Sequence, residues 1–207
     1  MTKAAIPVLT AEQLALDAER QDRANCYSAI ASLLVRAPES VLLQTMRDME
    51  LDEQPDTALG LSWILLQQAA KRTTVEAIDD EYHALFVGVG RGEVVPYGSW
   101  HQTGFLMEKP LAALRADLRM LGFERQKGVS ETEDHIASLC EVMAAIILAE
   151  DISFDAQAAF FKTHLESWVS EFFDILGAAR TAEFYKAVAE LGGHFFAVEK
   201  HYFSMPV

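Results

Sequence analysis

The chain has 207 residues, 17 basic and 31 acidic, for a formal charge of −14, with 51% hydrophobic and 23% charged side chains. That composition fits a folded chain with a substantial core and excludes a disordered one. The charge repels phosphate and argues against nucleic acid, the two cysteines exclude a disulfide scaffold or a Cys-rich zinc site, and no apolar run approaches the ~20 residues of a membrane span.

At ~150 residues per domain, the length fits one domain or two packed lobes. The start, MTKAAIPVLTAEQLALDAER, turns acidic where a signal peptide would be apolar, which points to the cytoplasm.

Helical periodicity dominates, and the reading is an all-α bundle. Thr10 and Gln13 form a capping-box pair opening a helix that runs to about Arg36, stopped by Pro38. A short helix from Pro38 to about Glu50 follows, then one from Asp56 to Lys71 with Leu59, Trp63 and Leu66 inward. Thr73 and Glu76 repeat the capping spacing ahead of Val75, Ile78, Tyr82, Leu85 and Phe86. Residues 88–99, with Gly88, Gly90, Gly92, Pro96 and Gly98, form a long loop of the kind that often carries function. Helix resumes near Ser99, restarts at Pro110 and ends at Leu121–Gly122, where Gly supplies a left-handed cap.

Polar residues 123–129 read as a hinge between an N-terminal lobe, 1–122, and a C-terminal lobe, 130–207. Ser130 and Glu133 give a third capping spacing, opening a helix through Ile136 and Ile147. One helix is expected from Phe154 to Leu176 and a last one from Thr181 to Glu199, their aromatics forming core.

Enzymatic motifs are weak. GVGRG (Gly88–Gly92) lacks both phosphate-loop glycine spacings and fits a flexible turn better. Asp80 with His83 and Glu131 with His135 fall short of a di-metal ligand set. Ser99 sits in PYGSW, not in a GxSxG elbow. The patch Glu131, Glu133, Asp134, His135 has two readings. Acids suit the positive end of a helix dipole, yet three carboxylates in four positions repel one another unless a cation neutralises them. Likewise Val94, Val95, Tyr97 and Trp100 either anchor the loop on the core or line an apolar groove.

The motifs LF-x-G (Leu85, Phe86, Gly88), PYGS (Pro96–Ser99) and E-x-EDH (Glu131, Glu133, Asp134, His135) occur in one order and spacing. With FLMEKPLAALR (Phe105–Arg115), FFKTHLESWVSEFF (Phe160–Phe173) and FYKAVAEL (Phe184–Leu191), the sequence resembles the TorD/DmsD family of cytoplasmic molybdoenzyme maturation chaperones over about residues 15–200. Two departures stand out: Thr132 replaces a common Pro, and Tyr82 replaces a frequent Trp.

The resemblance implies an all-α fold, no catalysis and no cofactor of its own. It implies binding of the twin-arginine signal peptide and immature body of a molybdopterin oxidoreductase precursor until cofactor insertion, as a monomer or a domain-swapped dimer, without stable membrane insertion. In that reading Asp134 with Glu131 or Glu133 accepts the peptide's guanidiniums through charge-assisted forks. Tyr82, Leu85, Phe86, Pro96, Tyr97 and Trp100 take its apolar part, Ser99 bonds peptide backbone or ties the loop down, and His135 orients Asp134 or touches the peptide. The competing readings are a helical enzyme (a nucleotide hydrolase or a metal-dependent oxidase) and an acidic export chaperone for an unrelated client.

Overall fold

The computed structural model describes residues 10–88, 92–125 and 131–205. Among them the chain is all-α, with one isolated antiparallel bridge between Tyr97 and His135. The order is α1 (Ala11–Leu34), α2 (Ser40–Arg47), α3 (Ala58–Arg72), α4 (Val75–Tyr82), a π-helical stretch (His83–Val87), α5 (Gly98–Thr103), α6 (Lys109–Met120), α7 (Ile136–Leu148), α8 (Phe154–His164), α9 (Val169–Ala178) and α10 (Phe184–Tyr202). No helix among the described residues is long and apolar enough to cross a membrane.

The centre is α7, whose sequence IASLCEVMAAIIL is apolar on nearly every side. A helix of that kind must be surrounded. It packs along α1, whose Ala24, Tyr27, Ile30, Ala31 and Leu34 recur at helical spacing and are buried. Each large side chain so buried contributes roughly 1.5–3 kcal/mol. On the other side α10 packs against α9 and α3, and α2 covers α3. Residues before and after 123–125 therefore share one core.

Several helix ends follow the sequence. Thr10 and Gln13 make the reciprocal capping box of α1. Gly122 ends α6 with φ +81°. Others are corrected. Pro38 lies outside α2, whose N-cap is Glu39 and which stops at Arg47. That Arg47 donates to the carbonyls of Ala70 and Thr73 at the end of α3. Thr73 thereby belongs to the exit of α3, and Thr74 is the residue that caps α4, accepting from the Ala77 amide at 3.2 Å.

The expected single helix 154–176 is two helices. The chain leaves α8 at His164, whose carbonyl accepts the Trp168 indole N–H at 2.7 Å. Periodicity missed the break because Leu165 and Trp168 are buried on either path.

α7 begins at Ile136, not ahead of the acids, so Glu131, Glu133 and Asp134 precede the helix instead of occupying its first turn. His135 is its N-cap, Nδ1 accepting from the Ala137 amide at 3.1 Å. Val89–Arg91 of GVGRG, most of the expected hinge and Ser130 with its proposed cap lie outside the described residues.

Candidate functional site

Three segments remote in sequence meet at one end of α7. The π-helical stretch His83–Val87 holds Leu85 and Phe86; such stretches are frequent at functional sites. The returning loop lies directly on it, with the Val94 amide donating to the Leu85 carbonyl at 2.8 Å. The approach is close enough to require Gly92, where a Cβ would sit 2.4 Å from the Leu85 oxygen. Glu93 fixes the loop's other edge by accepting from the Arg180 amide at 2.9 Å.

PYGS then pairs with EDH. The Gly98 amide donates to the Asp134 carbonyl, and the Ile136 amide to the Pro96 carbonyl, both at 2.9 Å. The Ser99 amide donates to Asp134 Oδ2 at 2.9 Å, and the Thr132 hydroxyl donates to Oδ1. Asp134 is thus a remote N-terminal cap for α5 and is buried. The Tyr97 hydroxyl donates to Glu131.

The expected residues are brought together, but not equally presented. Leu85, Pro96, Ser99, Asp134 and His135 are buried; Tyr82, Phe86, Tyr97, Trp100, Glu131 and Glu133 are half-buried. Tyr82 packs on Phe86 with ring centroids 4.9 Å apart. Burial, with the charge of Glu131 nearby, pushes the Tyr82 hydroxyl up to about 12. Ser99 ties the next turn down: its hydroxyl accepts the Met107 amide at 3.2 Å, below an exposed run of Phe105, Leu106 and Met107.

Glu133 finds its neutralising cation within the chain. Arg115 of α6 contacts Glu133 Oε2 through Nε at 2.9 Å and Nη2 at 2.8 Å. Arg125 lies 4.0 Å from the other oxygen and donates to the Glu131 carbonyl at 3.0 Å. Burial opposes ionisation of Glu133, but the two arginines and a backbone bond outweigh it and hold the carboxyl below its usual range.

Glu131 and Glu133 also stand at a cleft of about 760 Å³ between α6 and α7, with Leu118, Phe123 and Val142 as its apolar part. Sequence reasoning singled out none of Arg115, Arg125, Leu118, Phe123 or Val142 for a role. The available signal was Arg115, Arg119 and Arg125 in one short stretch of an otherwise acidic chain.

His135 is a pH-dependent element of this site. Burial lowers it from 6.5 to about 4, against the pull of Glu131 and Asp134. The folded protein holds it neutral while the unfolded chain takes up a proton below pH 6.5, so stability is lost as pH falls from 6.5 to 4. The expected loss is about 3 kcal/mol. Urea unfolding of wild type and His135→Asn across that range checks it; identical slopes would assign the loss elsewhere.

Residues 52–174 match the family profile described as nitrate reductase delta subunit. The chaperone protein TorD of Vibrio cholerae O1 strain O395 is 26% identical over 127 residues, 56% of this chain and 58% of the relative. The El Tor strain N16961 protein matches to the same extent. The match therefore spans a little over half the length of these relatives. An Archaeoglobus fulgidus structure described as a redox enzyme maturation protein shares the fold, with TM-score 0.57, 20% identity, and 94% of this chain and 99% of that chain covered. The profile covers more than half of the sequence, so the chain belongs to the family described as nitrate reductase delta subunit, and within that family it is similar to the TorD chaperones.

Proposed function

We propose that this protein is a client chaperone without catalysis that binds the twin-arginine signal peptide and immature body of a molybdopterin oxidoreductase precursor, and delays export until the cofactor is inserted. The observation that carries the reading is the placement of Glu131 and Glu133 at a cleft whose lining includes the apolar side chains of Leu118, Phe123 and Val142. A twin-arginine peptide presents adjacent guanidiniums followed by an apolar stretch, which is the complement of that arrangement. Glu131 and Glu133 take the guanidiniums, since carboxylates accept the planar fork in bidentate geometry. Leu118, Phe123 and Val142 take the apolar part, with half-buried Phe86, Tyr97 and Trp100 facing the client along the adjoining loop.

Asp134, buried and committed to Ser99 and Thr132, holds the loop in place in this reading and is not the first guanidinium acceptor. Leu85, Pro96, Ser99 and His135 support it from below. The charge of −14 speeds encounter with a basic peptide and makes it salt-sensitive.

The test is calorimetry with a synthetic peptide carrying an Arg-Arg pair ahead of an apolar stretch, and a Lys-Lys control. Wild type is expected to prefer Arg-Arg. Glu131→Gln with Glu133→Gln should weaken binding by about 1.5–3 kcal/mol, the worth of hydrogen bonds to a charged group. Equal affinity of wild type and the double variant would remove these carboxylates from the site. Purification from native cells with a molybdoenzyme precursor attached would support the client assignment; an unrelated secreted protein would favour a general export chaperone.

A further inference from the structure

Glu133 already carries guanidiniums. Arg115 contacts one carboxylate oxygen twice, at 2.9 and 2.8 Å, and Arg125 approaches the other at 4.0 Å. Two guanidiniums from different segments converge on one acid of the proposed site, in the chemistry its ligand would present. Both Arg side chains are 41% exposed, while Glu133 is 15% exposed, and Arg125 also donates to the Glu131 carbonyl at 3.0 Å.

We propose that Arg115 and Arg125 form a built-in stand-in for the client's arginine pair, so that the peptide binds by exchanging its guanidiniums for theirs. This rests on the functional reading above and adds the regulation of that site. The physical case is one of similar energies. Arg115 and Arg125 stabilise the empty site, because an unpaired, half-buried Glu133 is costly. Partly exposed ion pairs are worth only about 0–1 kcal/mol, so the clasp yields to a ligand that adds apolar contact in the cleft. A single lysine cannot reproduce the fork, so exchange also favours a client with arginines over one with lysines. The clasp lowers apparent affinity by the fraction of molecules in which Glu133 is free.

Arg115→Gln, and separately Arg125→Gln, removes part of the competitor without touching the acids. Each variant is expected to bind the Arg-Arg peptide about two- to sixfold more tightly than wild type, the gain that follows from a clasp worth up to ~1 kcal/mol. The Lys-Lys peptide should gain by the same factor, leaving the discrimination between the two unchanged. Thermal unfolding confirms that each variant is folded before titration. Unchanged or weaker Arg-Arg binding in both folded variants would overturn the clasp while leaving the functional reading intact. No binding by wild type or by either variant would overturn the functional reading, and the clasp with it.

Discussion

Replacing Glu199 with Ala is expected to remove about 3–5 kcal/mol of stability, the cost of breaking a buried ion pair from one side. Glu199 on α10 is fully buried and receives Arg23 of α1 in a two-point fork, Nε to Oε1 at 2.7 Å and Nη2 to Oε2 at 2.8 Å. Tyr27 donates its hydroxyl to Oε2 at 2.9 Å. The Arg23 guanidinium also lies 3.9 Å from the centre of the Tyr202 ring. Glu199→Ala leaves a guanidinium and a phenol hydroxyl enclosed by aromatic rings with no acceptor. The double variant Arg23→Leu with Glu199→Leu should recover the part of the loss owed to the stranded guanidinium, while the buried Tyr27 hydroxyl still lacks its acceptor. Urea unfolding of the three proteins decides it; a single-variant loss under about 1 kcal/mol would mean that water reaches this pair.

Trp168→Ala should cost a similar amount, about 3–5 kcal/mol, as expected for truncating a buried Trp. Trp168 is 1% exposed. Its indole N–H bonds the His164 carbonyl at 2.7 Å, at the break between α8 and α9. Its ring stacks on His101, centroids 5.2 Å apart and planes 17° from parallel. It also fills the space at Gly98, where a Cβ would lie 3.1 Å from the ring. Truncation therefore empties the floor beneath PYGS and strands a carbonyl at once. Trp168→Phe retains much of the volume but not the donor, so it should lose about 1–3 kcal/mol, the cost of a buried acceptor left unsatisfied. Equal losses for Ala and Phe would show that the hydrogen bond, not the packing, carries the effect. A loss below about 1 kcal/mol for Ala would contradict the packing account.

The candidate site was partly readable. Motif order alone grouped Phe86, Tyr97, Glu131 and Asp134, and the Tyr97–His135 bridge joins two of those motifs in space. The roles of the acids were not readable. In sequence Glu131, Glu133 and Asp134 are three similar carboxylates; in space one meets Tyr97, one meets Arg115 and one caps α5. Those partners lie 18–35 positions away, beyond the reach of any local pattern. The start of α10 is a parallel case. Glu81 of α4 accepts the amides of Glu183, Phe184 and Tyr185 at 2.7–3.0 Å, a cap supplied from about a hundred residues upstream.

By itself the sequence determined the all-α class, the inward faces of α1, α3, α7 and α10, and the capping of α1 by Thr10 and Gln13. Each depends on residues within a turn or two of one another, where side-chain spacing and backbone hydrogen bonding act directly. Only the tertiary structure decided the break at His164, the start of α7 at Ile136, and which acid meets Tyr97, an arginine or a helix end. A buried amide, carbonyl or charge must find a partner wherever the packed chain supplies one, and that choice is settled only when remote segments meet.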